Sequence, residues 1–312
     1  MSDSFNNKKE WYSVHIFYYP PWEKLLCNCI FPTILCLKNN NLISKYFFIR
    51  YFELGPHIRL RIECKPSCFF NEVRDLLMNS IYDYILKNPS EQTEQFKSTI
   101  PNNSIKLIEY EPELERYGGI YSIKYIETHF YNSSHLVLKL LSKNETFWTY
   151  NSRLSLALKA QYNFANSFIT SKYVGQYFYY IYSSYFSSIM SSFDKEQSLK
   201  IINSYENNYN IQKQYIYKLL STYNYPNAII WKQWERQSNK TNTLLSDLEN
   251  QNKVIFPESI ISDKFTTNPP IKMWYIYQSL FHMTNNRFGL LNHDEPFLAY
   301  LLYRYVTEHD RI

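Results

Sequence analysis

The chain has 312 residues, 45% of them hydrophobic and 20% charged, with a formal net charge of +5. That length suffices for one large domain or two small ones with a full core, and a mild charge with Lys and Glu interleaved gives no argument for a nucleic-acid surface. Cys27, Cys29, Cys36, Cys64 and Cys68 form no CxxC pair, residues Met1–Lys9 lack an apolar signal core, and no run reaches about 18 apolar residues, which disfavours a disulfide framework, a zinc knuckle, secretion and a membrane span.

Trp11–Tyr19 alternates and is rich in β-branched and aromatic residues, which predicts a strand that Pro20-Pro21 ends. Glu23–Lys38 carries Leu26, Ile30, Ile34 and Leu37 at helical spacing, with Pro32 as a kink point. Lys45–Tyr51 and His57–Cys64 are predicted strands joined by a turn at Phe52–Pro56, with Gly55 as the hairpin glycine. Phe70–Lys87 is a predicted helix with a stripe at Val73, Leu76, Leu77 and Ile81. Residues 88–103 are polar loop, and Ser104–Tyr110 is a fourth strand.

Strand, helix, strand, strand, helix, strand is the ferredoxin-like order. There both helices cover one face of the sheet and the first and third strands are central. On His57–Cys64, Ile58, Leu60 and Ile62 point one way, while His57, Arg59, Arg61 and Glu63 point the other. Arg59 and Arg61 thus fall mid-sheet on the uncovered face, with His15, Phe17 and Tyr19. Solvent is the simplest account of that charge. An anion held by two planar forks is the alternative, because their mutual repulsion needs a reason.

The remaining sequence is almost wholly helical: Ile123–Ser142, Phe147–Ser167, Tyr173–Met190, Lys195–Thr222, Ala228–Asn250, Ile271–Arg287 and Pro296–Thr307, broken by Pro226, Pro257 and Pro269-Pro270. The expected fold class is α+β, an N-terminal ferredoxin-like (βαββαβ) antiparallel sheet packed against a mostly helical C-terminal half. Residues 1–120 form the expected sheet lobe and 121–312 the helical lobe, one integrated domain with an interlobe active-site cleft lined by the arginines.

Four of the five glycines flank charged or His-bearing motifs: Gly55 before His57–Arg61, Gly118 and Gly119 after Arg116, and Gly289 after Arg287. Glycine is retained where the backbone forbids a side chain, although turns need it anyway. Arg116, at the Gly-Gly bend, is placed to reach the region of Arg59. His282 and Asn286 are i and i+4 on one helix face, which suits either a hydrogen-bonded structural pair or a site. There is no HExxH, GxSxG or Walker loop, so no metal and no phosphate-loop chemistry is expected.

Phe48-Ile49-Arg50-Tyr51, Pro56-His57-Ile58-Arg59-Leu60-Arg61, Glu113-Leu114-Glu115-Arg116-Tyr117-Gly118-Gly119 and His282-Met283-Thr284-Asn285-Asn286-Arg287, in that order, resemble the C-terminal elimination domain of class I lanthipeptide dehydratases. This family is also called the thiopeptide-type bacteriocin biosynthesis domain. The resemblance runs from Trp11 to the last helix and lacks the preceding glutamylation domain, as in stand-alone members of split dehydratases. It implies a cytoplasmic lyase that needs no cofactor. A glutamylating partner protein esterifies Ser or Thr of a ribosomal precursor peptide, using glutamyl-tRNA. The elimination enzyme then expels glutamate to leave dehydroalanine or dehydrobutyrine, with no tRNA requirement of its own. By motif match the family's active-site arginines fall on Arg59, Arg61 and Arg116, and its histidine on His282. Arg50, His57, Tyr117 and Asn286 are the candidate substrate-binding residues. The family also suggests a homodimer or a complex with the glutamylating partner.

The alternative within the family is a pyridine synthase, which joins two dehydroalanines in a formal [4+2] cycloaddition and has no glutamate to hold. Outside it stand a non-catalytic scaffold that captures a peptide at a strand edge and an RNA-binding protein. The 31 Tyr and 21 Phe would serve the latter only if interleaved with basic clusters. An A/T-rich codon bias explains them more simply.

Overall fold

The structure, a computed structural model, describes residues 8–191, 193–221, 227–258 and 271–309. The chain divides into two compact units, Met1–Pro112 with Phe130–Trp148, and Glu113–His129 with Thr149–Ile312.

The first unit is built on four antiparallel strands: β1 (Glu10–Phe17), β2 (Lys45–Tyr51), β3 (His57–Cys64) and β4 (Ser104–Ile108). Their order is β2-β3-β1-β4, the ferredoxin-like arrangement with β1 and β3 central. The register sets Tyr12, Val14 and Ile16 opposite Ile62, Leu60 and Ile58, and Ser13, His15 and Phe17 opposite Arg61, Arg59 and His57. Val14, Ile16, Ile58, Leu60 and Ile62 are buried, each burial stabilising the fold by about 1.5–3 kcal/mol.

Two helices supply the apolar partners. Helix α1 runs through Glu23–Leu25, a π-helical turn at Leu26–Ile30, and Phe31–Asn39. The sequence predicted a kink at Pro32; a wider turn just before it takes that role, since Pro lacks an N–H and its ring crowds the carbonyl four residues back. Helix α2 likewise joins Pro66–Cys68, a π-helical turn at Phe69–Val73, and Arg74–Lys87. It starts earlier than the predicted Phe70 because Lys65 is extended and Pro66 opens the helix. Phe69, Val73, Leu77, Ile81 and Ile85 are buried, whereas Leu76, expected in the stripe, is exposed.

Strands β2 and β3 keep their predicted bounds, whereas β1 and β4 each stop two residues short of the predicted end. The Tyr19 N–H leaves the ladder for Ser90 Oγ (2.9 Å) and Asn102 Oδ1 (3.2 Å), so the strand face ends at Phe17. At the outer edge of β2 lies helix α3 (Ile123–Asn144). The Phe48 N–H donates to Ser134 Oγ (3.2 Å), and Tyr46 Oη bonds His135 Nδ1 (2.8 Å).

The second unit is helical: α4 (Tyr150–Phe168), α5 (Val174–Met190), α6 (Lys195–Ser221), α7 (Ala228–Asn250), α8 (Ile271–Phe288) and α9 (Glu295–His309). Helix α9 packs on α5 and α6, and α4 packs on α7 and α8, around Phe164, Phe178, Ile181, Leu245, Ile276, Leu280, Leu298 and Leu301. Helix α4 starts three residues after the predicted Phe147 because Thr149 caps it, its hydroxyl accepting from the Ser152 N–H. Thr222, Pro226 and Pro269-Pro270 lie outside the described residues. Among the described residues no helix is long and apolar enough to cross a membrane.

Candidate functional site

On the sheet face away from α1 and α2, strand parity sets Arg59 and Arg61 side by side, as expected. Each guanidinium lies over aromatic rings. Arg59 is 3.4 Å from the Tyr51 ring centroid. Arg61 is 4.7 Å from Tyr110 and 5.3 Å from Phe47. Such contacts stabilise a cation by about 0.5–2 kcal/mol. The proximity of the two charges therefore does not by itself demand an anion. The Arg59 Nε–H donates to His57 Nε2 (3.1 Å), and its terminal nitrogen lies 3.8 Å from the exposed Glu53 carboxylate.

His57 is 1% exposed. Its ring neighbours are Phe17 (4.5 Å), His15 (5.0 Å) and Tyr51 (5.5 Å). Arginine Nε only donates, so His57 Nε2 accepts and Nδ1 carries the proton, donating to the Gly55 carbonyl at 2.7 Å. Burial outweighs that last bond and lowers the His57 pKa to about 4. Burial, His57 and the two arginines lower His15 to about 3. Both rings are neutral at neutral pH. Gly55 has φ +125°, and a Cβ there would lie 2.2 Å from Ser98 Oγ. Only glycine fits where the carbonyl must face His57.

In the second unit, the N–H groups of Tyr117 and Gly119 both donate to the Leu114 carbonyl (3.2 and 2.7 Å), and the Ile255 N–H donates to the Gly118 carbonyl (2.9 Å). Gly118 (φ +82°) and Gly119 (φ +89°) make this bend; a Cβ on Gly118 would stand 2.9 Å from Ile276 and Val254. The bend sends Arg116 to α8. Its Nε–H donates to Ser279 Oγ (3.2 Å) and a terminal nitrogen bonds Glu113 (3.2 Å).

Three residues along the same face of α8, His282 Nδ1 lies 3.0 and 3.2 Å from the two Glu295 oxygens. Glu295 is buried in the first turn of α9, where the helix dipole favours a carboxylate. Asn285 donates to Glu295 (3.4 Å), and Gln161 fixes Asn285 (2.8 Å) and the Phe281 carbonyl (2.9 Å). Burial and Glu295 push the Tyr185 phenol well above its usual range, and Arg116 acts on it in the opposite sense. Arg116, Ser279, His282, Glu295 and Tyr185 thus form one cluster. With Nδ1–H directed at a carboxylate, His282 presents Nε2 as an acceptor. An imidazole oriented in this way beside a guanidinium can take a proton and stabilise the charge that develops.

The structure brings Arg59, Arg61 and His57 together in one unit, and Arg116 and His282 onto one helix face in the other, where Tyr117 adjoins Arg116, its ring 5.6 Å from the guanidinium. Asn286 follows His282 by one turn of α8. Arg50 does not join the arginine pair: it stands opposite Ile58 on the helix-covered face, buried, bonded to Glu23 at 3.1 Å and 5.6 Å from the Trp22 ring centroid. Sequence reasoning missed Ser279, which i,i+3 spacing on α8 links to His282, and Glu295 and Tyr185, which lie on other helices that no spacing links. Tyr51 could have been found by strand parity, had the β2–β3 register been known. Among the described residues no group of three or more His, Cys, Asp or Glu could hold a metal ion. Burial raises the Cys27, Cys29 and Cys64 thiols to about 12, so they are poor nucleophiles.

A ferredoxin-like sheet with an arginine-bearing face, followed by helices with an Arg–His–Glu cluster, defines an α+β protein with a mostly helical C-terminal half. The family described as "Lantibiotic biosynthesis dehydratase C-term" matches residues 11–306, and the chain belongs to it. The chain is 30% identical over 138 residues to the epidermin biosynthesis protein EpiB of Staphylococcus epidermidis, a match covering 44% of this chain and 13% of EpiB. Its fold is similar to that of TbtD, a pyridine synthase from thiomuracin biosynthesis (TM-score 0.75, 11% identity, 96% of this chain and 98% of that one). It is also similar to TsrL (TM-score 0.64, 16% identity, 98% and 96%). MibB, a tRNA-dependent lantibiotic dehydratase from Microbispora sp. 107891, gives a TM-score of 0.62 at 14% identity, over 96% of this chain and 28% of MibB.

Proposed function

We propose that this chain eliminates glutamate from glutamylated Ser or Thr of a ribosomal precursor peptide, leaving dehydroalanine or dehydrobutyrine. The observation that supports this most is the single face of α8, which carries both the Ser279 anchor of Arg116 and the Glu295-oriented His282. A β-elimination needs that combination. His282 Nε2 takes the weakly acidic α-proton, and the cation of Arg116 stabilises the enolate that forms. The electron pair then makes the Cα=Cβ bond as the Cβ–O bond breaks, and glutamate leaves as a carboxylate. Arg59 and Arg61 hold the glutamyl group through their planar forks. Esterification falls to a separate glutamylating partner, so this step calls for neither a cofactor nor tRNA.

The test is mass spectrometry on a synthetic glutamyl-Ser peptide. The wild-type chain should convert it to the dehydroalanine peptide plus free glutamate. His282→Ala and Arg116→Ala should each slow conversion by about 10²-fold or more. Full activity in both variants removes the catalytic assignment.

A second reading is pyridine synthesis, since TbtD matches this chain nearly end to end. Two dehydroalanines bring no carboxylate for Arg59 and Arg61, so the arginine pair favours elimination. A bis-dehydroalanine peptide that the chain cyclises, while glutamyl esters stay intact, would reverse the choice.

A further inference from the structure

His57 stands among the candidate substrate-binding residues, yet its geometry leaves it nothing to offer a substrate. The ring is 1% exposed and stacked on Phe17 and His15. Both nitrogens are committed inside the protein, Nδ1 to the Gly55 carbonyl at 2.7 Å and Nε2 to Arg59 at 3.1 Å.

Arg59 is the reverse case. Its Nε–H is held by His57 and its plane rests on Tyr51. Among the described residues the carboxylate nearest its two terminal nitrogens is Glu53, at 3.8 Å on an exposed turn, too long for a hydrogen bond. A guanidinium tethered through Nε presents its terminal nitrogens end-on, the geometry of a bidentate carboxylate clamp.

We propose that His57 is a positioning residue: the Gly55 carbonyl fixes its tautomer, its Nε2 holds Arg59 by the Nε–H, and the guanidinium fork is thereby preset for a ligand carboxylate. Protonation at Nε2 would abolish the acceptor and set a cation against a guanidinium. Burial keeps the ring neutral, with its pKa lowered to about 4. The occupant of the fork, the glutamyl carboxylate, rests on the elimination reading; the relay itself does not.

The closing experiment has two arms. In the first, ¹⁵N-histidine-labelled wild-type protein should show one imidazole with protonated Nδ1 and unprotonated Nε2 that does not titrate between pH 8 and 5. Its Nε2 signal should move strongly in Arg59→Ala. The opposite tautomer, or indifference to Arg59→Ala, overturns the relay even if the activity is something else. In the second, His57→Phe should raise KM for the glutamylated peptide about tenfold with kcat nearly unchanged. His57→Gln, whose amide can accept from Arg59 and donate to Gly55, should recover most of the loss. Unaltered KM in a folded His57→Phe protein also overturns the proposal. Absence of glutamate release by the wild type would sink the elimination reading alone, leaving the spectroscopic arm to decide the relay.

Discussion

His15 and His57 are not the only imidazoles that burial keeps neutral. The pKa falls to about 3 for His15 and His129, and to about 4 for His57 and His135. Unfolded histidine titrates near 6.5. Between those values the unfolded chain binds more protons, so stability is fully present above about pH 6.5 and is lost as pH falls towards 3. Thermal melting should show a lower Tm at pH 5 than at pH 7, and His15→Phe should narrow the gap. A Tm constant across that range contradicts the buried neutral state of these rings. At this scale β3 was legible because its alternation is clean, and parity alone grouped His57, Arg59 and Arg61. Arg50 was not, since Lys45–Tyr51 reads as a nearly continuous apolar run in which parity is silent until the register with β3 is known. Glu295 was invisible because its link to His282 joins two helices.

Single elements depend on a few backbone positions. Gly118→Ala combines a φ of +82° with a Cβ 2.9 Å from Ile276 and Val254. It should cost about 1–3 kcal/mol in urea unfolding and loosen Arg116 with it. Gly175, in α5, is the control. Its added Cβ would meet Val306 and Thr307 at an ordinary 3.5 Å, so Gly175→Ala should be neutral or stabilise by about 0.5–1 kcal/mol. Equal losses in the two variants would remove the account of the Gly-Gly bend. The elements themselves were legible from periodicity and their ends less so. Thr149 and Pro66 set two helix starts through local capping. The π-helical turn of α1 precedes Pro32, and that of α2 has no proline beside it; no apolar period encodes either.

Over the whole molecule, no composition change marks the division between units, because α3 runs continuously through it: Ile123–His129 belong to one unit and Phe130–Asn144 to the other. If the guanidiniums of the first unit and the His282 cluster of the second serve one chemical step, their losses cannot simply multiply. The Arg59→Ala/His282→Ala double variant should lose less kcat/KM than the product of the single losses, and strictly multiplicative effects would assign them to separate steps. The sheet itself has two unlike borders. At β2 the Phe48 N–H is already taken by Ser134, whereas β4 exposes Lys106, Leu107 and Ile108, with β1 its sole main-chain neighbour among the described residues. Of the two borders, β4 is thus the more open to a further strand. A second molecule offering its own β4 in two-fold register would set lysine against lysine at the midpoint, a like-charge repulsion that disfavours that pairing.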